Sequence, residues 1–374
     1  MVESEFEIEK EDNHGFIEGF SRKHDPKGML SWVEDWPGII IRGQDEFILN
    51  DRVLSGLKPD KFDKIIMSGM GGSAMACELI SALIGHNLKM PMEIARGYGI
   101  PLWVDNRTLF IAVSYSGNTE EVIWNTTQAY NAGAQIIAVT SGGGLRDIAI
   151  KVGFEFIKVY SQCPTPRAAL GYLLMPLLKL FMDFELIGKE ETIVDVTESI
   201  KTIIRERKKY TFFLDEEKNF AKKLARELRT AIPVIWSGSQ FTRPVALRWQ
   251  HQLNENSKSF AHYSHFPEMN HNEILSFQFR KREWIIKDIL LLVLRDPDEH
   301  PRNSLRIDFS SDIVRPMIRG LYQIKPKGKS RLCRMLNHIQ IADYVSVYLA
   351  LLTKTDPSVQ NHIDDLKKKI HLIR

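Results

Sequence analysis

Short apolar segments that end in glycine or serine alternate with segments of helical spacing, and this alternation constrains the fold more than any other feature. FDKIIMSGM (62–70) is followed by the helical pattern SAMACELISALIG (73–85). Further apolar segments of this kind occur at residues 90–98, 108–117, 134–143 and 154–160. Strands that alternate with helices pair in parallel, because each helix returns the chain to the same edge of the sheet. The sequence therefore predicts an α/β fold with a doubly wound parallel sheet.

The same pattern begins again in the second half of the chain. IPVIWSGSQ (232–240), followed by a helix that opens at a proline, resembles the earlier segment IIMSGMGGSA. A chain of 374 residues also favours two domains. We predict a helical extension over residues 1–60 that packs on the first domain, a first domain over 61–200 and a second over 201–374. Each domain would be a doubly wound parallel β-sheet flanked by helices.

Composition and charge exclude several classes of protein. Fifty basic residues against 47 acidic ones give a net charge of +3, which is too balanced for a nucleic-acid-binding surface. The three cysteines are far apart and have no metal-ligand spacing, so neither a disulfide framework nor a structural zinc is expected. The N-terminus lacks the pattern of a signal peptide, and proline or charge interrupts each apolar stretch before about 18 residues. We expect a cytoplasmic protein that binds neither membrane nor metal.

The segment AVSYSGNTEEV (112–122) indicates a site for a small anion. It places the hydroxyls of Ser114, Ser116 and Thr119 between a buried strand and the start of a helix. Hydroxyls together with backbone N–H groups at a helix N-terminus bind a phosphate well, whereas helix capping accounts for one hydroxyl and not for three. We predict a phosphate site here, completed by Gly72 and Ser73 at the neighbouring strand end.

Two further glycine-rich segments leave alternatives open. AVTSGGGL (138–145) lies on the same sheet edge and either contacts the ligand or is a plain turn. Gly69 to Ala74 reads as a relaxed GxGxxA dinucleotide fingerprint, with Glu93 at the distance of a ribose partner. That reading predicts a nicotinamide-dependent oxidoreductase, but it does not explain the hydroxyl-rich segment.

Taken together, MSGMGGSAM, AVSYSGNTEEV and AVTSGGGL resemble a sugar isomerase (SIS) domain, which binds phosphosugars. CPTPRAALGY (163–172) and the segment 248–274 resemble more specifically the bifunctional phosphoglucose/phosphomannose isomerase family, whose members have two tandem SIS domains. The resemblance implies interconversion of glucose 6-phosphate and mannose 6-phosphate with fructose 6-phosphate through a cis-enediol. It also implies a homodimer without metal or cofactor, with a place in glycolysis and gluconeogenesis.

The resemblance also implies roles for individual residues. Glu255, in LNEN, would be the base that moves a proton between C2 and C1, and His271, in NHNE, would open the sugar ring from the adjacent subunit. A carboxylate and a histidine suit these proton transfers near neutral pH. Arg167, in PTPRAAL, would stabilise the enediolate, because a guanidinium can hold two adjacent oxygens. The family takes a lysine from its C-terminal helix, and Lys367 is the best match in a loose register that also includes Lys368 and Lys369.

Two other functions remain compatible with SIS domains. One is a non-catalytic protein that binds phosphosugars, which the presence of both Glu255 and His271 argues against. The other is a SIS isomerase that acts on a different sugar phosphate, such as an amino sugar or a heptose.

Overall fold

A five-stranded parallel sheet forms the first half of the protein. The computed structural model describes residues 23–45, 57, 61–278 and 286–370. The strand order is β2-β1-β3-β4-β5, so the chain starts inside the sheet and winds outwards in both directions. The strands are β1 (Lys64–Ser68), β2 (Met92–Ala95), β3 (Thr108–Val113), β4 (Gln135–Thr140) and β5 (Glu155–Lys158). β3 lies in the middle and every one of its residues is buried, as its unbroken apolar sequence TLFIAV requires.

A four-stranded parallel sheet forms the second half, in the order β7-β6-β8-β9. Its strands are β6 (Ile232–Ser237), β7 (His262–His265), β8 (Ile289–Leu294) and β9 (Gly320–Ile324). Two parallel sheets flanked by helices confirm the predicted fold class. The sequence analysis assigned β6 but not the other three strands. β7 is polar, with the sequence HYSH, and partly exposed at the sheet edge, so it has no apolar run to identify it.

Helices separate the strands in both halves. Those up to residue 183 are α1 (Met29–Glu34), α2 (Trp36–Asp45), α3 (Gly71–Ile84), α4 (Glu120–Asn131), α5 (Gly143–Val152) and α6 (Leu170–Asp183). Those that follow are α7 (Lys189–Arg207), α8 (Phe220–Leu228), α9 (Thr242–Ser257), α10 (Pro301–Val314), α11 (Arg331–Leu352) and α12 (Asn361–Ile370). The domain limits stay a prediction. The limit between residues 200 and 201 falls inside α7, and much of the predicted extension over 1–60 lies outside the described residues.

The long helix α11 organises the packing of the second half. Nearly all of its residues are buried, and it contacts α7, α8 and α9. α9 also contacts α3, which follows the first strand of the other sheet. α9 therefore links the two halves of the chain, and its residues can act beside the carboxyl edge of the first sheet.

A buried histidine in α11 makes stability depend on pH. His338 is fully buried, its Nε2 lies 3.1 Å from the carbonyl oxygen of Arg295, and burial lowers its pKa from 6.5 to about 4. The unfolded chain therefore binds a proton between these two pH values while the folded chain does not. Stability falls as the pH falls through this range, by about 3 kcal/mol in all.

Urea unfolding between pH 7 and pH 4 tests this contribution. We expect the free energy of unfolding to fall less in His338→Gln than in the wild type, because glutamine can donate to the same carbonyl but does not titrate. Equal losses in the two proteins would show that His338 does not carry the effect.

Candidate active site

The hydroxyl-rich loop lies between the end of β3 and the start of α4. Ser114 is fully buried, and its Oγ lies 2.9 Å from Thr119 Oγ1 and accepts a hydrogen bond from the Gly117 N–H at 3.1 Å. Ser116 is exposed, and its Oγ accepts from the Asn118 N–H at 3.3 Å. Ser114 thus shapes the loop, whereas Ser116 is exposed and Thr119, at the N-cap of α4, is half-buried.

The two neighbouring loops are bonded directly to the hydroxyl-rich loop. Ser73 Oγ accepts from the Tyr115 N–H at 3.0 Å, which joins the first turn of α3 to the loop. On the other side, the Leu145 N–H donates to the Gly117 carbonyl at 2.8 Å, and the Gly144 N–H donates to Asn118 Oδ1 at 2.9 Å. The segment 138–145 therefore supports the loop through its backbone.

Arg167 and Glu255 meet although 88 residues separate them in the sequence. Arg167 lies in a short 3₁₀ helix (Pro166–Ala169), is 2% exposed, and donates from one terminal nitrogen to Glu255 Oε2 at 3.0 Å. Glu255, in the last turn of α9, keeps 28% of its side chain exposed. A buried guanidinium thus holds one carboxylate oxygen of a glutamate that still faces solvent.

Gly72 brings the first turn of α3 against this pair. A Cβ at position 72 would lie 3.1 Å from both Arg167 Cα and the Pro166 carbonyl oxygen, which is shorter than most contacts that Cβ atoms make in proteins. The glycine thus permits the backbone carrying Arg167 to approach the turn that contains Ser73. Through this contact, Arg167 and Glu255 lie beside the hydroxyl-rich side of the first sheet.

In the described part of the chain, His271 and Lys367 are not bonded to this pair. His271 is exposed at the end of a 3₁₀ helix (Glu268–His271) that follows β7, and Lys367 is exposed on α12. Within the described part of the chain, neither makes a hydrogen bond or ion pair with Arg167 or Glu255. The structure therefore brings together Gly72, Ser73, Arg167 and Glu255, but not the other two predicted catalytic residues.

The described residues contain no group of three or more His, Cys, Asp or Glu side chains that could hold a metal ion. Among the helices of the described segments, none combines the length and apolar character needed to cross a membrane.

Comparison with known proteins assigns both halves to families. Residues 60–144 match the SIS domain family, and residues 217–370 match the bacterial phospho-glucose isomerase C-terminal SIS domain. The chain is 39% identical over 331 residues to a bifunctional phosphoglucose/phosphomannose isomerase of Caldicellulosiruptor bescii, a match that covers 88% of this chain and 96% of the relative. It belongs to the bifunctional phosphoglucose/phosphomannose isomerase family.

One further relative agrees with this assignment, and a solved structure agrees with the fold. The bifunctional phosphoglucose/phosphomannose isomerase of Thermoplasma volcanium is 36% identical, over 84% of this chain and 93% of the relative. Among solved structures, the C-terminal domain of glucosamine-fructose-6-phosphate aminotransferase from Francisella tularensis superposes with a TM-score of 0.64 at 13% identity, covering 93% of this chain and 99% of that one. The latter likeness shows the fold alone.

Next to the Arg167–Glu255 pair, this member of the bifunctional isomerase family has a lysine that the sequence did not indicate. Lys258 has a left-handed backbone (φ 54°) at the end of α9, and its Nζ donates to the carbonyls of Glu255 and Asp356 at 2.9 and 2.8 Å. Burial, and then the charge of Arg167, lower the pKa of Lys258 to about 8. Lysine after a helix end is a general capping signal, but which carbonyls it reaches depends on tertiary structure.

Proposed function

We propose that the protein is an aldose–ketose isomerase that interconverts glucose 6-phosphate and mannose 6-phosphate with fructose 6-phosphate. The observation that carries this proposal is the 3.0 Å bond between Arg167 and Glu255, beside the hydroxyl-rich loop. It pairs a base with a stabiliser of negative charge next to a phosphate-binding loop, and the family membership supports the same substrates.

The proposed reaction moves one proton from carbon to carbon and one from oxygen to oxygen along the sugar. The predicted phosphate site, with the first N–H groups of α4, holds the 6-phosphate, so the other end of the open chain reaches Glu255. Its members are Gly72, Ser73, Ser114, Ser116 and Thr119. The free oxygen of the Glu255 carboxylate takes the proton from C2 of the aldose, and the Arg167 guanidinium stabilises the negative charge on the oxygens of the enediolate. Glu255 then returns this proton to C1 while the proton of the C2 hydroxyl passes to O1, which leaves a carbonyl at C2 and gives the ketose. In the reverse direction, protonation of C2 on one face of the enediolate gives glucose 6-phosphate, and protonation on the other face gives mannose 6-phosphate.

We also propose that this reaction needs no metal ion, since Arg167 and backbone dipoles meet the developing charge, and that it takes place in the cytoplasm. To test the function, chelator-treated protein is given fructose 6-phosphate, and both aldose phosphates are assayed. The proposal predicts that both form at rates that added divalent cations do not raise. Turnover only after cation addition would contradict metal independence, and binding without turnover would indicate a phosphosugar sensor.

We propose further that two copies form a homodimer in which His271 opens the sugar ring in the partner's site. His271 is exposed and has no polar partner in the described part of its own chain. The turn that carries His271 is bonded to α10, because Asn270 of the turn donates a hydrogen bond to Ser310 Oγ of α10 at 2.8 Å. α10 exposes an apolar stripe of Leu305 (70%), Phe309 (69%) and Ile313 (38%), which favours a protein partner on this side. Lys367 is proposed as a catalytic lysine on the resemblance alone.

Mixing two inactive variants tests whether His271 acts across the interface. Dimers of Glu255→Gln and dimers of His271→Ala both lack one group at every site. Co-expressed in equal amounts, they form mixed dimers in which one of the two sites has both groups, so about a quarter of wild-type activity returns. Absence of recovery, with mixed dimers demonstrated by differential tags, would place His271 in its own chain's site or outside the mechanism.

A further inference from the structure

The guanidinium of Arg167 is held from three sides. Its Nε donates to Asn256 Oδ1 at 2.6 Å, one terminal nitrogen donates to Glu255, and the other donates to the carbonyl of Pro357. A guanidinium is planar, so three bonds in different directions fix both its plane and its rotation in that plane. One N–H on each terminal nitrogen is left for substrate.

Asn256 is itself held in one orientation. It is fully buried, and its Nδ2 donates to Ser346 Oγ on α11 at 2.9 Å. The Ser346 hydroxyl in turn donates to the carbonyl of Asp343 at 3.0 Å. With the amide nitrogen bound to serine, the amide oxygen must face Arg167, since the opposite orientation would bring two donors together.

A buried ion pair supports the backbone of Arg167 without competing for its charge. Arg248 and Asp343 are both buried and lie 2.7 Å apart, and Gln252 donates to the second oxygen of Asp343 at 2.8 Å. Arg248 also donates to the Arg167 carbonyl at 3.5 Å. Because Asp343 neutralises Arg248, the charge of Arg167 remains for Glu255 and for the substrate.

We propose that Asn256 is a positioning residue of this active site, which aims Arg167 at the enediolate and is itself fixed by α11 through Ser346. The inference rests on the proposed function. We expect no contact between Asn256 and the substrate, because Asn256 is fully buried and the two ends of its amide are bonded to Arg167 and Ser346. Its effect is therefore on the transition state and not on phosphate binding.

The test compares Asn256→Ala, which removes two side-chain hydrogen bonds, with Asn254→Ala, which removes one asparagine hydrogen bond on the same helix away from Arg167. Asn254 Oδ1 accepts from the Ala261 N–H at 3.0 Å and has no bond to Arg167. We expect kcat to fall about 10- to 100-fold in Asn256→Ala with KM nearly unchanged, and less than about twofold in Asn254→Ala.

Two inhibitors give a readout that does not need turnover. One is inorganic phosphate. The other is a sugar phosphate that ends in a hydroxamate, whose two adjacent oxygens imitate the cis-enediolate. In Asn256→Ala we expect affinity for the hydroxamate to fall by the same factor as kcat, while affinity for phosphate stays unchanged. If Asn256→Ala does not fold, Ser346→Ala takes its place, and we expect a smaller loss of about 3- to 10-fold in both quantities.

If the wild type turns over fructose 6-phosphate and Asn256→Ala changes neither kcat nor hydroxamate affinity, the positioning role is wrong and the proposed function stands. Equal losses in hydroxamate and phosphate binding would also overturn the positioning role, because they indicate general disruption. If the wild type does not turn over fructose 6-phosphate but the variant still loses hydroxamate affinity selectively, the proposed function fails and the positioning role stands.

Discussion

Replacing Glu255 by glutamine is expected to lower kcat for fructose 6-phosphate by about 10²- to 10⁴-fold, with little change in KM. Glutamine keeps the size of the side chain and can accept the Arg167 hydrogen bond that Glu255 accepts at 3.0 Å. It has no carboxylate to take a proton from carbon. Arg167 and the phosphate loop therefore remain able to bind the sugar while proton transfer stops.

Glu216→Gln provides a matched control for this substitution. Glu216 also pairs with an arginine, Arg226, and its side chain is 21% exposed against 28% for Glu255. It lies outside the proposed site, so its variant should keep the wild-type kcat. Coupled assays of both aldose phosphates measure the effect. A Glu255→Gln enzyme that retains more than about a tenth of kcat would contradict the role of Glu255 as the base.

Replacing Gly117 by alanine is expected to abolish phosphate binding. Gly117 has a left-handed backbone (φ 68°), and a Cβ there would lie 1.7 Å from the Gly142 carbonyl oxygen. Neither group is a flexible side chain, so the two loops must separate. Separation breaks the bond from Leu145 N–H to the Gly117 carbonyl and displaces Ser116 and Thr119. We expect affinity for inorganic phosphate to fall at least about 100-fold, because no single new contact can restore the loop.

Gly153→Ala is the control for Gly117→Ala, because it puts alanine at a positive φ without a steric clash. Gly153 also has positive φ (89°), but a Cβ there would meet nothing within 4 Å. It should lose about 1 kcal/mol of stability and keep phosphate affinity. Calorimetric titration with phosphate distinguishes the two variants. Equal affinity in Gly117→Ala and wild type would show that this loop is not the phosphate site.

Much of the first half could be predicted from sequence, because its strands carry strong local signals. Buried parallel strands such as β3 are unbroken apolar runs that end at small residues, and a helical pattern follows each of them. The hydroxyl-rich loop was recognisable for the same reason, as its residues are contiguous. Of the three strands after β6, β8 is also an apolar run, ILLLVL, which the prediction did not include, whereas β9 is partly exposed. β7 is short and polar at a sheet edge, and its place became visible only through its pairing with β6.

The support of the Arg167–Glu255 pair could not be predicted, because it joins distant parts of the chain. Asn256 and Ser346 are 90 residues apart, and Arg167 and Pro357 are 190 apart. No spacing rule relates such positions. The glycines of the GxGxxA segment show a related ambiguity. The sequence is compatible with a dinucleotide fingerprint, whereas the structure packs Gly72 against the backbone of Pro166 and Arg167.

The central claim is that one enediol links fructose 6-phosphate to both aldose phosphates, and isotope incorporation tests it most directly. Purified, chelator-treated protein is incubated with fructose 6-phosphate in deuterated water, and the products are followed by proton NMR. The account predicts that glucose 6-phosphate and mannose 6-phosphate both appear, and that on long incubation both carry deuterium at C2. Products that never acquire deuterium would indicate hydride transfer, and unchanged fructose 6-phosphate would contradict the isomerase account as a whole.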